Sequence, residues 1–215
     1  MANLVTVGRL ILLFVAVYVL YRGGVTAIAI AAIAIGVAIL LDGLDGWVAR
    51  RYNETGPLGA AFDIAGDRIA ENVLWVVFAD LGLIPIWVPL LMLTRGFLVD
   101  SLRAIGYGEG KTPFGKDNMM RSPITEWLTA GRPMRLFYGW AKLLAFVFLG
   151  GLVGYQLRDS SGTLLGDLYS WDPFRWFGWA CVWASVILSI VRGVPVVYDA
   201  VLTYGPQSKS SSAAE

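Results

Sequence analysis

Four aspartates stand close together in residues 42–67, which read DGLDGWVARRYNETGPLGAAFDIAGD. They are Asp42, Asp45, Asp63 and Asp67, and the apolar run VTAIAIAAIAIGVAILL directly precedes them. An ionisable residue at the edge of a membrane helix is costly, and its presence there indicates a function. Carboxylates this close repel one another, so they need a counter-charge to remain ionised. The cluster therefore predicts a cation site.

The residue types available in the chain limit which cations and which chemistry that site can support. The chain has no histidine, and Cys181 is its single cysteine. Oxygen ligands without histidine or cysteine favour Mg²⁺, Mn²⁺ or Ca²⁺ over zinc. Two divalent ions would balance four carboxylates, and such paired metals typically clamp phosphate oxygens during displacement at phosphorus. Acid–base chemistry must then come from carboxylates, lysine, tyrosine or metal-bound water.

Two consecutive helices are needed to bring these acids together. Residues spaced by three, four and seven positions share one face of a helix. One such face carries Asp42, Asp45, Gly46 and Ala49, and the next helix carries Gly59, Asp63 and Asp67. Turn-forming residues at 52–57 would make the helices antiparallel neighbours. We therefore expect a cleft between helices 2 and 3, with small residues that admit a ligand to the backbone.

Other interpretations of the acids remain open at this point. The acids could cap helices or pair with Arg50, Arg51 and Arg68, which accounts for a single ion pair better than for four spaced aspartates. They could also line the ion pathway of a channel or transporter. The position of the acids argues against an ion pathway, because they lie together at one end of the apolar runs and are not distributed across the membrane. A lipid-binding scaffold without catalysis is the remaining alternative.

The composition of the chain is that of an integral membrane protein. Of its 215 residues, 57% are hydrophobic and 15% are charged, with a mean hydropathy of +0.64. Soluble domains carry about 25% charged residues. The net charge of +1 gives no indication of nucleic-acid binding. We therefore expect an all-α membrane protein with a cytoplasmic active-site cleft.

Crossing a bilayer takes about 20 apolar residues, and six segments of the chain fit that length. They are Leu4–Tyr21, Val25–Arg50, Gly59–Leu81, Ile84–Arg103, Met134–Leu157 and Phe174–Tyr204. Together they predict one membrane domain over residues 1–204, followed by a disordered cytoplasmic tail at 205–215. Within the polar stretch 105–133, SPITEWL predicts a short helix with Ser122 as N-cap and Pro123 at its first position.

The orientation follows from the distribution of lysine and arginine. With both termini inside, the outer segments hold only Arg22, Arg158 and Arg175, and the other loop cations lie inside. This predicts a multi-pass protein of the inner (cytoplasmic) membrane with the aspartates on the cytoplasmic side.

The spacing of the acids resembles a known signature. Asp42-x-x-Asp45-Gly46-x-x-Ala49-Arg50, then eight residues, then Gly59-x-x-x-Asp63-x-x-x-Asp67 is similar to the complete motif of the CDP-alcohol phosphotransferase family. Chain length and helix number also agree, so the resemblance covers essentially the whole chain. It implies transfer of a phosphatidyl group from CDP-diacylglycerol to a small polar alcohol, with release of CMP. It also implies two Mg²⁺ or Mn²⁺ ions and a homodimer in the lipid membrane.

The resemblance also implies roles for individual residues. Asp42, Asp45, Asp63 and Asp67 would bind the metals, and Asp67 would also act as the general base toward the acceptor hydroxyl. The residues implied for the nucleotide pocket are Asp42, Asp45, Gly46, Ala49, Arg50 and Gly59. A carboxylate base suits a chain without histidine.

Three shorter stretches bear on the acceptor alcohol. Asn3-Leu4-x-Thr6-x-x-Arg9, Arg95-x-x-x-Val99-x-x-Leu102-Arg103 and Gly139-x-x-Lys142 resemble segments of bacterial phosphatidylglycerophosphate synthases. Cations at the inner ends of helices need an anion, and arginine binds phosphate by paired hydrogen bonds. We therefore expect Arg95, Arg103 and Lys142 to bind a phosphate on the acceptor.

The sequence differs at two places from the pattern of bacterial phosphatidylglycerophosphate synthases, so other acceptor alcohols remain open. Gly96 follows Arg95 where the group usually has glutamate, and Asp67-Arg68 is closer to the branch that uses inositol phosphate. Glycerol-3-phosphate is the favoured acceptor, inositol phosphate is the alternative, and other alcohols stay open. Arg192, beside Gly193, either reaches the same end or extends to the membrane surface, and the sequence favours neither.

Overall fold

The computed structural model describes the backbone of residues 2–51, 57–108 and 122–204. It describes the side chains in these ranges except at 2–5, 42–51, 57–58, 60–61, 63, 106–108, 123 and 130. Throughout the described ranges the regular structure is helical, in agreement with the predicted all-α class. The predicted tail at 205–215 and the turn residues 52–56 lie outside these ranges.

Eight helices form in the described residues. They are α1 Ala2–Arg22, α2 Val25–Arg51, α3 Pro57–Asp80, α4 Trp87–Gly108, α5 Pro123–Ala130, α6 Arg132–Leu157, α7 Leu164–Ser170 and α8 Asp172–Tyr204. Each of the six predicted apolar segments is a helix, namely α1 to α4, α6 and α8. The short helix α5 is also present where SPITEWL predicts it, whereas α7 is not predicted.

Two stretches of the described chain are long and apolar enough to cross a membrane, Ile124–Leu157 and Asp172–Tyr204. Val25–Leu41 is a shorter apolar helix. The number of six membrane-crossing helices therefore stays a prediction.

The chain divides into two compact units. The first comprises residues 1–89 and 141–183, and the second comprises residues 90–140 and 184–215. The helices α4, α6 and α8 contribute residues to both units.

In the first unit, α2 and α6 approach each other closely at glycines. A Cβ atom on Gly150 would lie 3.1 Å from the Cα of Ala32, and one on Gly36 would lie 2.8 Å from a methyl carbon of Val147. Small residues of this kind let helix backbones approach and pack in membrane proteins. The packing sets the position of α2, whose C-terminal end carries the first two motif aspartates.

The first helix packs on α3 through another glycine. Thr6 and Arg9 are buried, and a Cβ atom on Gly66 would lie 2.8 Å from Thr6 Cγ2 and 2.9 Å from Arg9 Nη2. At the other end of the same two helices, the Tyr21 hydroxyl donates to Asp80 at 2.6 Å. Contacts at both ends hold α1 along α3, beside Asp67.

Replacing Gly66 with alanine is expected to destabilise this contact. Overpacking a close contact typically costs about 1–3 kcal/mol, because the branched Thr6 side chain has little freedom to move. Thermal unfolding in detergent measures the loss. Gly8→Ala on α1 is the matched control, because its Cβ meets no atom within 4 Å. An unchanged melting temperature for Gly66→Ala would show that Thr6 and Arg9 can move to admit the methyl group without loss of stability.

The segment between α6 and α8 is more ordered than the predicted outer loop. Thr163 caps α7 by accepting a hydrogen bond from the Gly166 amide at 3.1 Å. Tyr169 on α7 is buried, and its hydroxyl donates to the Phe148 carbonyl at 2.7 Å. Arg158 donates to the Tyr21 and Gly23 carbonyls at 2.8 and 3.1 Å. Side-chain contacts with distant residues thus order this segment.

The second unit contains the predicted cap of α5. The Ser122 hydroxyl accepts from the Ile124 amide at 3.1 Å, and the Ser122 amide donates to the Thr125 hydroxyl at 3.3 Å. Pro123 begins the helix. This reciprocal cap satisfies amides that the first helical turn leaves open, so the predicted start of α5 is confirmed.

Candidate functional site

The motif residues lie on two consecutive helices, as the spacing predicts. The C-terminal end of α2 carries Asp42, Asp45, Gly46, Ala49 and Arg50, and the first half of α3 carries Gly59, Asp63 and Asp67. Of this set, the structure describes only Gly59 and Asp67 beyond the backbone. The face-to-face arrangement of the acids and the nucleotide pocket therefore stay predictions.

A lysine and a second acid accompany Asp67 in the first unit. The Lys142 ammonium on α6 lies 3.5 Å from Asp67 Oδ1 and 3.2 Å from Glu71 Oε2. Glu71 is one turn beyond Asp67 on α3. The Glu71 side chain is only 5% exposed, whereas that of Asp67 is 40% exposed. Lys142 thus bridges a buried carboxylate and an accessible one.

Glu71 has a further cationic neighbour. Arg68 Nη1 lies 3.8 Å from Glu71 Oε2, on the same helix. Sequence reasoning missed Glu71, although the four-residue spacing of Gly59, Asp63 and Asp67 continues to position 71. That continued spacing is the signal that would have placed Glu71 on the acidic face.

The donor chemistry of the motif fits a hard divalent cation. The family resemblance implies such an ion, and four carboxylates on adjoining helices supply the oxygen ligands that magnesium and manganese prefer. Among the side chains that the structure describes there is no group of three or more metal-binding residues. The side chains of Asp42, Asp45 and Asp63 lie outside the described part of the structure, so the proposed ligand set remains a prediction.

A group of arginines lies in the second unit. Arg192 on α8 lies within electrostatic reach of Arg95, Arg103 and Arg135. We call these four residues the arginine group. All four are partly buried. Four guanidinium groups concentrate positive charge in this part of the second unit, so the arginine group is suited to attract an anion.

Packing fixes the arginine group in the fold. Arg192 Nη2 donates to the Thr129 carbonyl of α5 at 3.1 Å, and its guanidinium lies 5.0 Å from the centre of the Tyr138 ring. Beside it, the stem of Arg95 lies on α8, where a Cβ on Gly193 would come within 3.0 Å of Arg95 Cγ and 3.1 Å of Nε.

The three predicted acceptor-phosphate residues do not fall in one unit. Arg95 and Arg103 belong to the arginine group, whereas Lys142 lies in the first unit against two carboxylates. Lys142 therefore already has anionic neighbours in Asp67 and in Glu71, which the sequence analysis overlooks. Its role at the acceptor phosphate is not tested by these contacts. The sequence did not predict Arg135 as a site residue. Arg192, whose position the sequence left open, belongs to the arginine group.

The first unit also contains an apolar cavity of about 330 Å³. Residues of α2, α6, α7 and α8 surround it, among them Ile33, Phe148, Leu165 and Phe177. Ile33 precedes Asp42 on α2 by nine residues, which is about 13 Å along a helix axis.

Known proteins match the chain over most of its length. The family described as CDP-alcohol phosphatidyltransferase matches residues 1–191. The archaetidylinositol phosphate synthase of Aeropyrum pernix is 36% identical over 87 residues, which cover 40% of this chain and 44% of that protein. A probable phosphatidylglycerophosphate synthase of Mycobacterium tuberculosis is 33% identical over 116 residues, covering 53% of this chain and 56% of the relative.

A longer match joins this chain to a third relative. The cardiolipin synthase (CMP-forming) of Streptomyces coelicolor is 28% identical over 164 residues, covering 75% of this chain and 66% of that protein. The match to the first relative spans less than half of that protein's length. The names of the three relatives differ in the product that they state. On the match over residues 1–191, this chain belongs to the CDP-alcohol phosphatidyltransferase family.

Proposed function

We propose that the protein transfers a phosphatidyl group from CDP-diacylglycerol to a phosphorylated polar alcohol, with glycerol-3-phosphate as the favoured acceptor, and releases CMP. The observation that carries this proposal is the unbroken aspartate motif at the C-terminal end of α2 and in the first half of α3. Membership of this chain in the CDP-alcohol phosphatidyltransferase family supports the same reaction. Relatives named phosphatidylglycerophosphate synthase support the acceptor.

In this proposal, Asp42, Asp45, Asp63 and Asp67 hold two Mg²⁺ or Mn²⁺ ions. When bound, the ions neutralise charge on the pyrophosphate and make phosphorus a better electrophile. Asp67 takes the proton of the acceptor hydroxyl. The oxygen of that hydroxyl forms a bond to the phosphorus of the phosphatidyl group, and the bond from that phosphorus to the CMP oxygen breaks.

The nucleotide is proposed to lie on the small residues of the same helices. Gly46, Ala49 and Gly59 offer little side chain, which would let the cytidine part approach the backbone. Arg50 adds a cation for the phosphate next to the cytidine. These assignments come from the motif positions.

We assign the phosphate of the acceptor to the arginine group. Its members combine like charge, partial burial and fixed packing, and a phosphate would relieve their repulsion. Guanidinium groups suit this role because they bind phosphate oxygens in pairs.

Replacing Arg95 with alanine is expected to raise the KM for glycerol-3-phosphate at least about 10-fold, because a charge-assisted hydrogen bond contributes about 1.5–3 kcal/mol. The KM for CDP-diacylglycerol should change little. Steady-state CMP release with each substrate varied measures both values. Arg132→Ala is the matched control, since Arg132 is exposed at the start of α6.

A smaller change probes the same arginine. Gly193→Ala should shift Arg95 and raise the acceptor KM, whereas Gly96→Ala should not, because its Cβ meets no atom within 4 Å. An unchanged acceptor KM in both Arg95→Ala and Gly193→Ala would remove Arg95 from the phosphate site.

The apolar cavity is proposed to hold part of an acyl chain of the donor. Its lining offers hydrocarbon and aromatic surface, and each buried CH₂ contributes about 0.8 kcal/mol. The cavity lies toward the start of α2, away from the motif, where a chain extending from the phosphates would pass.

We also propose a homodimer in the inner membrane, with both termini in the cytoplasm. The bias of loop lysines and arginines supports this orientation. The family is membrane-bound, which agrees with the two long apolar helical stretches.

A panel of acceptors tests the proposed function. The purified protein is incubated with CDP-diacylglycerol, Mg²⁺ or Mn²⁺, and either glycerol-3-phosphate, inositol phosphate, phosphatidylglycerol or glycerol, and CMP is measured. The Aeropyrum relative makes inositol phosphate the second candidate, and the Streptomyces relative supports including phosphatidylglycerol. Efficient use of plain glycerol would contradict the proposed role of the arginine group. Absence of CMP with every acceptor would contradict the reaction itself and favour a scaffold or an ion pathway.

A further inference from the structure

We propose that Glu71 and Lys142 form a positioning pair that orients the carboxylate of Asp67 for proton transfer. The inference rests on the proposed function, in which Asp67 is the general base. Lys142 would engage Oδ1 of Asp67, and Glu71 would hold Lys142 in place. The other Asp67 oxygen, Oδ2, would then face the reacting groups.

Burial differs along the chain of contacts from Glu71 to Asp67. Glu71 is 5% exposed, Lys142 is 11% exposed and Asp67 is 40% exposed. A buried charge is stable only when it is paired, because desolvation of an unpaired ion costs several kcal/mol. Glu71 and Lys142 therefore stabilise each other as ions in the protein interior. Asp67 is the member that substrate can reach.

The distances agree with this division of roles. Lys142 is closer to Glu71, at 3.2 Å, than to Asp67, at 3.5 Å. Arg68 adds a second positive neighbour to Glu71 at 3.8 Å. The ammonium group has three donors, so it can serve both carboxylates at once. Glu71 thus holds the Lys142 ammonium in place, and the longer contact from Lys142 orients the Asp67 carboxylate.

Orientation of the base has a large effect on rate. A misplacement of about 1 Å in a reacting group can reduce turnover about 100-fold. Without Lys142, the partly exposed Asp67 loses the contact at Oδ1 that directs its other oxygen toward the acceptor. Without Glu71, Lys142 loses its anchor and moves toward solvent. Either loss would lower kcat and leave the substrate-binding groups intact.

The test separates positioning from phosphate binding by comparing kcat with KM. Glu71→Gln and Lys142→Met are each expected to lower kcat about 10- to 100-fold. The KM values for CDP-diacylglycerol and acceptor should stay within about 2-fold. Lys142→Arg should recover part of the lost kcat, because it keeps a cation between the two carboxylates. Glu126→Gln, an exposed glutamate on α5, is the matched control for the charge change.

A double variant tests whether the pair acts through Asp67. In the Asp67→Asn background, Glu71→Gln should reduce kcat by less than about 2-fold further, because residues that act as a unit are not additive. Additive losses would overturn the inference. An acceptor KM that rises in Lys142→Met at unchanged kcat would also overturn it and assign Lys142 to the acceptor phosphate.

Three further outcomes are distinguishable. If Glu71→Gln loses kcat only in proportion to folded protein, and Lys142→Arg gives no recovery, the pair is structural and the inference fails. If the wild-type protein releases CMP and Glu71→Gln keeps full kcat, the inference fails and the proposed function stands. If the wild-type protein releases no CMP with any acceptor, both fail.

Discussion

Replacement of Asp63 or Asp42 by asparagine is expected to reduce CMP release to background. Each change removes a charged ligand from the proposed two-metal site and leaves the donor pyrophosphate without full neutralisation. Cation binding, measured by titration of Mn²⁺ with the purified protein, should weaken in parallel. Removal of divalent ions with EDTA should abolish wild-type turnover, and added Mg²⁺ or Mn²⁺ should restore it.

Asp80→Asn provides the matched control for these variants. Asp80 lies on the same helix as Asp63 but at its C-terminal end, where it accepts a hydrogen bond from Tyr21. This variant should retain turnover and Mn²⁺ affinity. Wild-type activity that persists after prolonged EDTA treatment, or Mn²⁺ affinity that is unchanged in Asp63→Asn, would contradict the assignment of the metal ligands.

Asp67→Asn is expected to lower kcat about 10²- to 10⁴-fold, the usual contribution of a general base. The amide cannot take the proton of the acceptor hydroxyl, although it keeps the shape of the carboxylate. Because proton removal matters in the transition state, affinity for the donor should fall far less than kcat. Single-turnover CMP release and CMP binding measure these two effects separately.

The expected asymmetry distinguishes Asp67 from the other motif acids. Near-normal turnover in Asp67→Asn would assign the base to another group. Equal losses of kcat and Mn²⁺ affinity would make Asp67 a metal ligand only.

Local patterns in the sequence were sufficient for much of the fold. The start of α5 follows from Ser122 and Thr125, which hydrogen-bond within one turn, and from a proline at the first helical position. Neighbouring residues alone therefore determine it. The positions of Asp42 on α2 and Asp67 on α3 likewise follow from the spacing of the motif residues along each helix. Such features depend on contacts between residues three or four apart, which the sequence displays directly.

Features that depend on distant residues were not predictable in the same way. Helix α7 is short, and its ordering comes from Tyr169 packing against Phe148 of another helix. Lys142 contacts Glu71, which is 71 residues away in the sequence. No pattern of residues along α6 predicts that contact. Arg192 also reaches its partner Thr129 across 63 residues. Pairings of this kind appear only when helices have packed.

Substitutions at the glycine contacts between α2 and α6 should affect the proposed active site, although these glycines are not part of it. Gly150 lies against Ala32, and it follows Lys142 by eight residues, about 12 Å along the helix axis. Protein interiors pack as densely as crystals and transmit strain. A side chain at Gly150 would push the two helices apart and shift Lys142 on α6 and Asp42 on α2. Loss of transfer in a mutational screen should therefore map to these helix-packing glycines as well as to the acids.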